Sequence, residues 1–222
     1  HSSPAEARSL AAHAQKIGAT AISAVSPWYF KPGSVDVLVR CLAEVAAGAP
    51  QLPFYYYHIP SLTGVALDMV EFLRQAPAKI PTLVGLKYTA PTVDELQACL
   101  DFEGGRFDVL FGRDEMLLSG LAVGARGAIG STYNFAAPLY RRLIAAFERN
   151  DLAAARECQA RSVAMIRIVL KSQTLSICKY LMKLLGVDCG PVRLPLLTGD
   201  RDEEGRIEKE LRAVGYFDWG VK

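Results

Sequence analysis

The sequence predicts an α/β fold in which helices cover a parallel β-sheet. Short apolar segments alternate with helical segments along residues 1–137, with a repeat of about 25 to 30 residues. Alternating βα units of this kind build parallel sheets, because each crossover helix returns the chain to the same end of the sheet. Such a sheet either stays open and doubly wound or closes into a (β/α)₈ TIM barrel.

Five strands are predicted, each followed by a helix. They lie near residues 20–26, 53–58, 82–88, 107–111 and 127–132. Ser3 to Glu6 and Thr92 to Glu95 have the form of capping boxes, so each predicts the start of a helix. Ser34 is placed to cap a third helix, which runs to about residue 47. Further helices are predicted around 68–75 and over 114–124.

After Pro138 the pattern changes to helices alone. They are predicted roughly over 138–149, 152–171, 174–186 and 203–213. This part of the sequence contains no segment that reads as another strand.

Composition disfavours several classes of function. The chain has 25 basic and 23 acidic residues and no basic run, so nucleic acid is not indicated as a partner. No apolar run reaches the ~18 residues that span a bilayer, so no membrane segment is expected. No Gly-x-Gly-x-x-Gly follows a strand, which leaves a dinucleotide site without support.

Cysteine and histidine usage points to a reduced, metal-free, cytoplasmic protein. The five cysteines are widely spaced and form no Cys-x-x-Cys pair: Cys41, Cys99, Cys158, Cys178 and Cys189. Reduced thiols are typical of the cytosol, and the three histidines are too scattered to suggest a metal centre. We therefore expect no metal.

Polar residues gather where the predicted strands end. They are Tyr29, Tyr57 with His58, Lys87 with Thr89, Asp114 with Glu115, and Ser131. In a TIM barrel these carboxyl ends form the catalytic face. Their concentration favours the barrel over the open sheet. A barrel needs eight strands, however, and five are visible.

Lys87 allows two interpretations. A lysine at the end of an apolar strand can extend its ammonium group into solvent. Alternatively, burial among apolar neighbours favours the free amine, which attacks a ketone to form an iminium and makes an adjacent carbon–carbon bond breakable. The strand alone does not decide between them.

Tyr57 ends the preceding strand, so it is expected beside Lys87 in the sheet. A phenol there can transfer a proton to or from a substrate oxygen. The same tyrosine also suits β-strand packing, as Phe54 does. His58 alternates to the opposite side of the strand and is expected to be packed against a helix.

The polar residues that follow the fourth and fifth strands have both a structural and a functional interpretation. Asp114 and Glu115 start a helix, where acids stabilise the helix dipole by ~0.3–1 kcal/mol. They can equally accept hydrogen bonds from a polyhydroxylated substrate, which Gly112 would allow close to the backbone. Ser131 is either a hydroxyl donor at a strand end or a turn residue.

Four motifs resemble the N-acetylneuraminate lyases, class I aldolases of the dihydrodipicolinate synthase superfamily. The motifs are YHIP (57–60), GLKYT (85–89), GRDE (112–115) and GAIGSTYN (127–134). They occur in the family's order and spacing, and the likeness extends to SPWYFKP (26–32) and GPVRLPL (190–196). Arg113 stands where some members carry an aromatic residue, so that contact is not transferred.

The resemblance implies a (β/α)₈ barrel with C-terminal helices, assembled as a homotetramer. The implied reaction is reversible cleavage of N-acetylneuraminate to N-acetylmannosamine and pyruvate through a Schiff base on Lys87, with no cofactor. Tyr57 would handle the proton of the C4 hydroxyl, and Tyr29 would lie near a subunit interface. The residues implied to hold the sugar are Thr89, Gly112, Asp114, Glu115 and Ser131.

The family's first strands, with the loop that binds the pyruvate carboxylate, have no counterpart here. The resemblance therefore implies that residues 1–137 form βα units 4 to 8 of a barrel. Residues 138–222 would then hold its last helix and a helical extension of the same domain. We expect a shortened isoform, an incomplete gene model or a fragment, with little or no activity by itself.

Other functions remain open at this level. Leu62 stands where dihydrodipicolinate synthases usually place an arginine, which argues against that activity. An aldolase for another 2-keto-3-deoxy sugar acid is the next alternative. A third is an inactive short form that acts only by associating with full-length subunits.

Overall fold

The computed structural model describes residues 1–172 and 174–221. Its sheet has five parallel strands that are hydrogen-bonded in chain order. These are β1 (Ile22–Val25), β2 (Phe54–His58), β3 (Leu83–Tyr88), β4 (Asp108–Phe111) and β5 (Gly127–Ala128). A doubly wound sheet reverses its strand order at a switch point, whereas this order never reverses. The arrangement is therefore that of a barrel wall.

A helix follows every strand, and the described residues after β5 contain helices and loops but no further strand. The α-helices of the described residues are α1 (Pro4–Lys16), α2 (Val35–Ala46), α3 (Pro60–Thr63), α4 (Met69–Gln75), α5 (Val93–Asp101), α6 (Leu117–Ala122), α7 (Tyr133–Glu148), α8 (Leu152–Val169), α9 (Thr174–Leu184), α10 (Arg201–Ala213) and α11 (Tyr216–Trp219). Short 3₁₀ turns lie at 76–78, 102–104 and 114–116.

The chain divides into two compact units. The first, here called the sheet unit, comprises His1–Arg113 and Ala122–Ala128, and it contains all five strands. The second, here called the helical unit, comprises Asp114–Leu121 and Ile129–Lys222. The division of the chain at residue 137 stays a prediction.

Side chains alternate across the sheet as a strand requires. Phe54 and Tyr56 of β2 are fully buried, and the ring of Tyr56 packs against Phe72 of α4 with centroids 5.0 Å apart. Tyr55 and Tyr57, on the opposite side of β2, are only half-buried. The helix-covered side of the sheet therefore carries the core and leaves the other side for chemistry.

Three helix starts carry side-chain caps, two of them at the predicted positions Ser3 and Ser34. Ser3 Oγ accepts from the N–H of Glu6 at 3.4 Å, and Ser34 Oγ accepts from the N–H three residues ahead at 3.3 Å. Asp68 Oδ1 accepts from Glu71 at 2.8 Å. Each such cap is worth about 1 kcal/mol to its helix.

The predicted capping box at Thr92 is wrong, although α5 begins there. Thr92 makes no side-chain cap, and its hydroxyl lies 2.5 Å from that of Tyr88. Glu95 accepts hydrogen bonds from the Tyr88 hydroxyl and from the N–H of Met69. A buried tyrosine hydroxyl needs a partner, and here this need outweighs the local cap.

Two further boundaries differ from prediction. β5 ends at Ala128 and does not continue to residue 132. α7 begins at Tyr133, five residues before the predicted start, and its backbone is non-helical at Ala136. The helix kinks there because Pro138 removes a backbone donor and disfavours helical conformation just before it.

The helical unit has its own core. Leu139, Leu143 and Met165 of α7 and α8 are fully buried, as is Tyr216 of α11. The Tyr216 hydroxyl donates to the carbonyl of Phe135 at 2.7 Å, which ties the C-terminal end of the chain to α7.

Candidate active site

Lys87 and Tyr57 are direct partners across β2 and β3, as the sequence predicts. Lys87 Nζ lies 4.0 Å from the centroid of the Tyr57 ring, and both residues are half-buried. Within residues 1–172 and 174–221, Nζ makes no hydrogen bond and no ion pair. The amino group lies in cation–π distance of the Tyr57 ring face, and no hydrogen bond within the described residues fixes its direction.

Thr89 and Gly112 complete this group at the ends of β3 and β4. The Thr89 N–H donates to the carbonyl of His58 at 2.8 Å, and the Gly112 N–H donates to that of Tyr88 at 2.8 Å. Parallel-ladder bonding therefore continues one residue past each strand. These bonds fix the positions of Thr89 and Gly112 at the carboxyl ends of β3 and β4.

Gly112 lies against the side chains of Thr89 and Lys87. A Cβ atom at this position would stand 2.0 Å from Thr89 Oγ1 and 3.1 Å from Lys87 Cε. The missing side chain at Gly112 thus makes room for Thr89 and Lys87. The sequence suggests that it also makes room for a substrate. Gly112 is required for Thr89 and Lys87 to occupy these positions.

The Thr89 hydroxyl is buried and has no hydrogen-bond partner in the described part of the chain. An unmade hydrogen bond at a buried oxygen costs ~1–3 kcal/mol, so a ligand that supplied the missing partner would be favoured there. Because it lies beside the Lys87 side chain, this hydroxyl is suited to bind a polar ligand.

His58 is excluded from this group by its position. It is 2% exposed on the helix side of β2, and its ring lies 5.3 Å from that of Tyr88. Burial lowers the pKa of His58 to about 4, against a weaker opposing effect of Glu95. The residue is a neutral packed histidine, as the alternation along the strand predicts.

Tyr29 lies on the loop after β1 and is 79% exposed. Its ring packs edge-on against Phe30, with centroids 4.9 Å apart. Trp28 and Phe30 are exposed beside it. The structure therefore places three aromatic rings at one surface of the sheet unit.

Asp114, in the helical unit, is held firmly. It is 6% exposed, and its Oδ2 accepts from the N–H of Thr132 at 2.9 Å and from the Thr132 hydroxyl at 2.6 Å. Charge-assisted bonds of this kind are roughly twice as strong as neutral ones. Sequence reasoning missed Thr132, although it directly follows the candidate Ser131.

Glu115 and Ser131 differ from Asp114 in exposure. Glu115 is half-buried in the 3₁₀ turn at 114–116, which leads into α6. This position is compatible with stabilisation of the helix dipole and with binding of substrate hydroxyl groups. Ser131 is exposed and borders an open cavity of about 600 Å³ walled by residues of α7 and α9.

Neither a metal-binding cluster nor a membrane-spanning helix is found in the described residues. Among 1–172 and 174–221, no three histidine, cysteine or carboxylate side chains are grouped so that they could hold a metal ion. Over the same residues, none of the helices has the length and apolar character needed to cross a membrane. All five cysteines are free thiols.

Comparison with known proteins gives a consistent match. The model of the dihydrodipicolinate synthetase family matches residues 2–214. The N-acetylneuraminate lyase of Mus musculus is 42% identical over 219 residues, covering 96% of this chain and 67% of the relative. That of Homo sapiens is 41% identical with the same coverage. The chain thus spans about two thirds of the length of these curated relatives.

Solved structures agree with the sequence matches. Proteus mirabilis N-acetylneuraminate lyase superimposes with a TM-score of 0.93 at 38% identity, covering 97% of this chain and 73% of that one. A structure described as the catalytic lysine mutant of Ruminococcus gnavus sialic acid aldolase has a TM-score of 0.88 at 26% identity, with coverage of 97% and 70%.

Proposed function

This chain belongs to the dihydrodipicolinate synthetase family, and we propose that it carries the Schiff-base centre of an N-acetylneuraminate lyase. The reaction is cleavage of a nine-carbon sugar acid to N-acetylmannosamine and pyruvate. The relatives named above support a carbon–carbon lyase with this substrate. They do not favour an aldolase for another 2-keto-3-deoxy acid or a synthase.

The observation that carries the proposal is the pairing of Lys87 with Tyr57. A nucleophilic lysine needs an amine that is not engaged in an ion pair, and a proton-transfer group close by. Lys87 Nζ meets both conditions, since it has no hydrogen-bond or ion-pair partner in the described residues and lies 4.0 Å from the Tyr57 ring centroid. One solved relative is described as having a catalytic lysine.

The proposed reaction begins with the Lys87 amine attacking the C2 ketone. A C–N bond forms, water leaves, and the product is an iminium. As the C3–C4 bond breaks, its electron pair moves into the iminium and gives the enamine of pyruvate. C4 becomes the aldehyde carbon of N-acetylmannosamine. Protonation at C3 and hydrolysis by water then release pyruvate and restore the amine.

Tyr57 is proposed to take the proton that the C4 hydroxyl loses as the bond breaks. The substrate carboxylate assists this transfer. The phenol suits the role because the strand register fixes it beside Lys87. A tyrosine can both accept and donate a proton when a neighbouring group relays the charge.

The residues proposed to hold the sugar are Thr89, Gly112, Asp114, Glu115 and Ser131. Thr89 offers a buried hydroxyl without a protein partner in the described residues, and Gly112 lies against it. Asp114 and Glu115 provide carboxylate oxygens for hydroxyl groups, which suit a polyol better than a dicarboxylic acid. Leu62, exposed on α3, offers no cation to a second carboxylate.

The remaining assignments are proposals from the family resemblance. The enzyme uses no cofactor, since Lys87 itself forms the covalent intermediate. It assembles as a cytoplasmic homotetramer in which exposed Tyr29 approaches a neighbouring subunit. Residues 1–137 form barrel units, and residues 138–222 form the last barrel helix and its extension.

The direct test is product analysis with the protein expressed from its complete reading frame. Incubation with N-acetylneuraminate should release pyruvate and N-acetylmannosamine in equal amounts. Lys87→Met, which keeps the side-chain volume, should release neither. Turnover of a different 2-keto-3-deoxy acid in place of N-acetylneuraminate, or undiminished cleavage by Lys87→Met, would refute the proposal.

A further inference from the structure

Behind Asp114, a line of buried hydroxyl groups runs through the helical unit. Thr132 Oγ1 lies 2.6 Å from the Tyr140 hydroxyl, which lies 2.8 Å from Ser162 Oγ. The three residues are 7%, 3% and 0% exposed. They link the Asp114 carboxylate to buried side chains of α7 and α8.

The direction of donation along this line follows from the number of protons. The Thr132 hydroxyl donates to Asp114 Oδ2, so its oxygen must accept the proton of Tyr140. Tyr140 in turn accepts from Ser162, because its single proton is already used. Burial raises the pKa of Tyr140, which keeps its proton in place. Every proton in the line therefore points toward the carboxylate, and such chains strengthen each member.

The backbone of the same turn is fixed by α8. Gln159 Nε2 donates to the carbonyl of Asp114 at 3.2 Å, and Gln159 Oε1 accepts from the N–H of Leu118 at 2.8 Å. Ser162 Oγ is 3.5 Å from the Asp114 carbonyl, a much weaker contact than its bond to Tyr140. Gln159 and Ser162 lie three residues apart and thus share one face of the helix.

Gly130 leaves space for the carboxylate itself. A Cβ atom at this position would stand 1.6 Å from Asp114 Oδ1 and 2.2 Å from Cγ. No side chain fits there while Asp114 keeps its orientation. The two hydrogen bonds at Oδ2 and the close approach of the Gly130 backbone both restrict the orientation of the carboxylate.

We propose that Thr132, Tyr140 and Ser162 are positioning residues that set the orientation of Asp114 for sugar hydroxyl groups. The inference rests on the proposed function, since it assigns Asp114 to sugar binding. Misplacing a binding group by about 1 Å can cost ~10²-fold in rate, so a rigid support has a functional consequence beyond stability. A network that served folding alone would affect stability and leave substrate affinity unchanged.

The experiment separates these roles by measuring kcat and KM for N-acetylneuraminate cleavage, with the melting temperature of each variant. Tyr140→Phe keeps the ring and removes the hydroxyl, and it should raise KM about tenfold with a smaller change in kcat. Thr132→Val should raise KM further, and Thr132→Ser should recover the lower value. Ser162→Ala, at the end of the line, should have a smaller effect in the same direction.

Tyr216→Phe is the matched control, because it also removes a buried tyrosine hydroxyl that bonds within the helical unit. It should lower the melting temperature and leave KM unchanged. If Tyr140→Phe and Ser162→Ala behave like Tyr216→Phe, the positioning role is wrong and the network is structural.

Covalent trapping distinguishes this failure from failure of the proposed function. With pyruvate and borohydride, wild type and Tyr140→Phe should both be modified at Lys87, since pyruvate lacks the sugar hydroxyls. Trapping with an unchanged KM in Tyr140→Phe would overturn the positioning role alone. Absence of trapping in the wild type would overturn the lyase assignment, and the positioning role with it.

Discussion

Lys87 in the sheet unit and Asp114 in the helical unit are held in opposite ways. Lys87 Nζ rests over the Tyr57 ring at 4.0 Å and, in the described residues, has no hydrogen bond. Asp114 Oδ2 accepts two bonds from Thr132, and the backbone carbonyl of Asp114 accepts one from Gln159. One charged group is left free, whereas the other is fixed at both its side chain and its backbone.

The difference matches what each group must do in the proposed reaction. The amine has to form and break a covalent bond, which requires movement and an available lone pair. The carboxylate only has to recognise hydroxyl groups, and recognition gains from an orientation that is already fixed. The comparison therefore predicts that changes near Lys87 affect chemistry, while changes behind Asp114 affect substrate affinity.

The largest expected effect comes from Lys87→Arg. Arginine keeps the positive charge and much of the length but cannot be deprotonated, so it cannot form a Schiff base. Cleavage activity should fall to the background of Lys87→Met. Activity that survives in the arginine variant would mean that the charge of Lys87, and not its amine, is what matters.

The next largest effect should come from Tyr57→Phe. Loss of proton transfer should lower kcat by about 10²–10⁴ while trapping of pyruvate on Lys87 persists. Tyr55→Phe is the matched control on the same strand, because its hydroxyl donates to Asp108 at 2.7 Å, away from Lys87. Equal kcat values for the two variants would remove Tyr57 from the mechanism.

A smaller effect is expected from Gly112→Ala. The added methyl group collides with the Thr89 hydroxyl, so overpacking should lower the free energy of unfolding by about 1–3 kcal/mol and reduce activity. Gly33→Ala serves as the control, since its added Cβ would meet no atom within 4 Å in the described residues, its chain neighbours aside. Chemical denaturation of both variants measures the difference, and similar stabilities would contradict the packing account.

The last effect concerns stability alone, through its dependence on pH. The pKa of His58 is about 4 in the folded chain, below its ordinary value of 6.5, so the unfolded chain binds a proton first as the pH falls. The stabilisation is therefore complete above about pH 6.5 and is lost toward pH 4. The free energy of unfolding should fall by about 1 kcal/mol per pH unit across this range.

His58→Leu should lose that pH dependence between pH 6.5 and 4, while His13→Gln on the exposed surface of α1 should keep it. Denaturation midpoints at several pH values measure the slope. An unchanged slope in His58→Leu would show that protonation of His58 does not control acid stability.

The sequence predicts the sheet well because each of its signals is local. Apolar runs indicate the strand positions, Ser3 and Ser34 indicate two helix starts, and alternation separates Tyr57 from His58. Lys87 and Tyr57 can be predicted to be neighbours because they lie near the ends of consecutive parallel strands. These features depend on short stretches of chain, in which spacing determines geometry.

The features that prediction missed depend on distant residues. The capping box at Thr92 does not form, and Glu95, its other member, accepts from the N–H of Met69, 26 residues earlier in the chain. After Ala128 the chain leaves the sheet, and Gly130 and Thr132 then pack around Asp114. The support behind Asp114 joins positions 132, 140 and 162 on a loop and two helices, and no local pattern marks such a set.

The central claim is that Lys87 is the Schiff-base lysine, and reductive trapping tests it most directly. The protein from the complete reading frame is incubated with pyruvate and borohydride, digested, and mapped by mass spectrometry. The account predicts a single carboxyethylated lysine, Lys87, with no adduct in Lys87→Met. Modification of another lysine in its place, or a wild-type protein that stays unmodified, would contradict it.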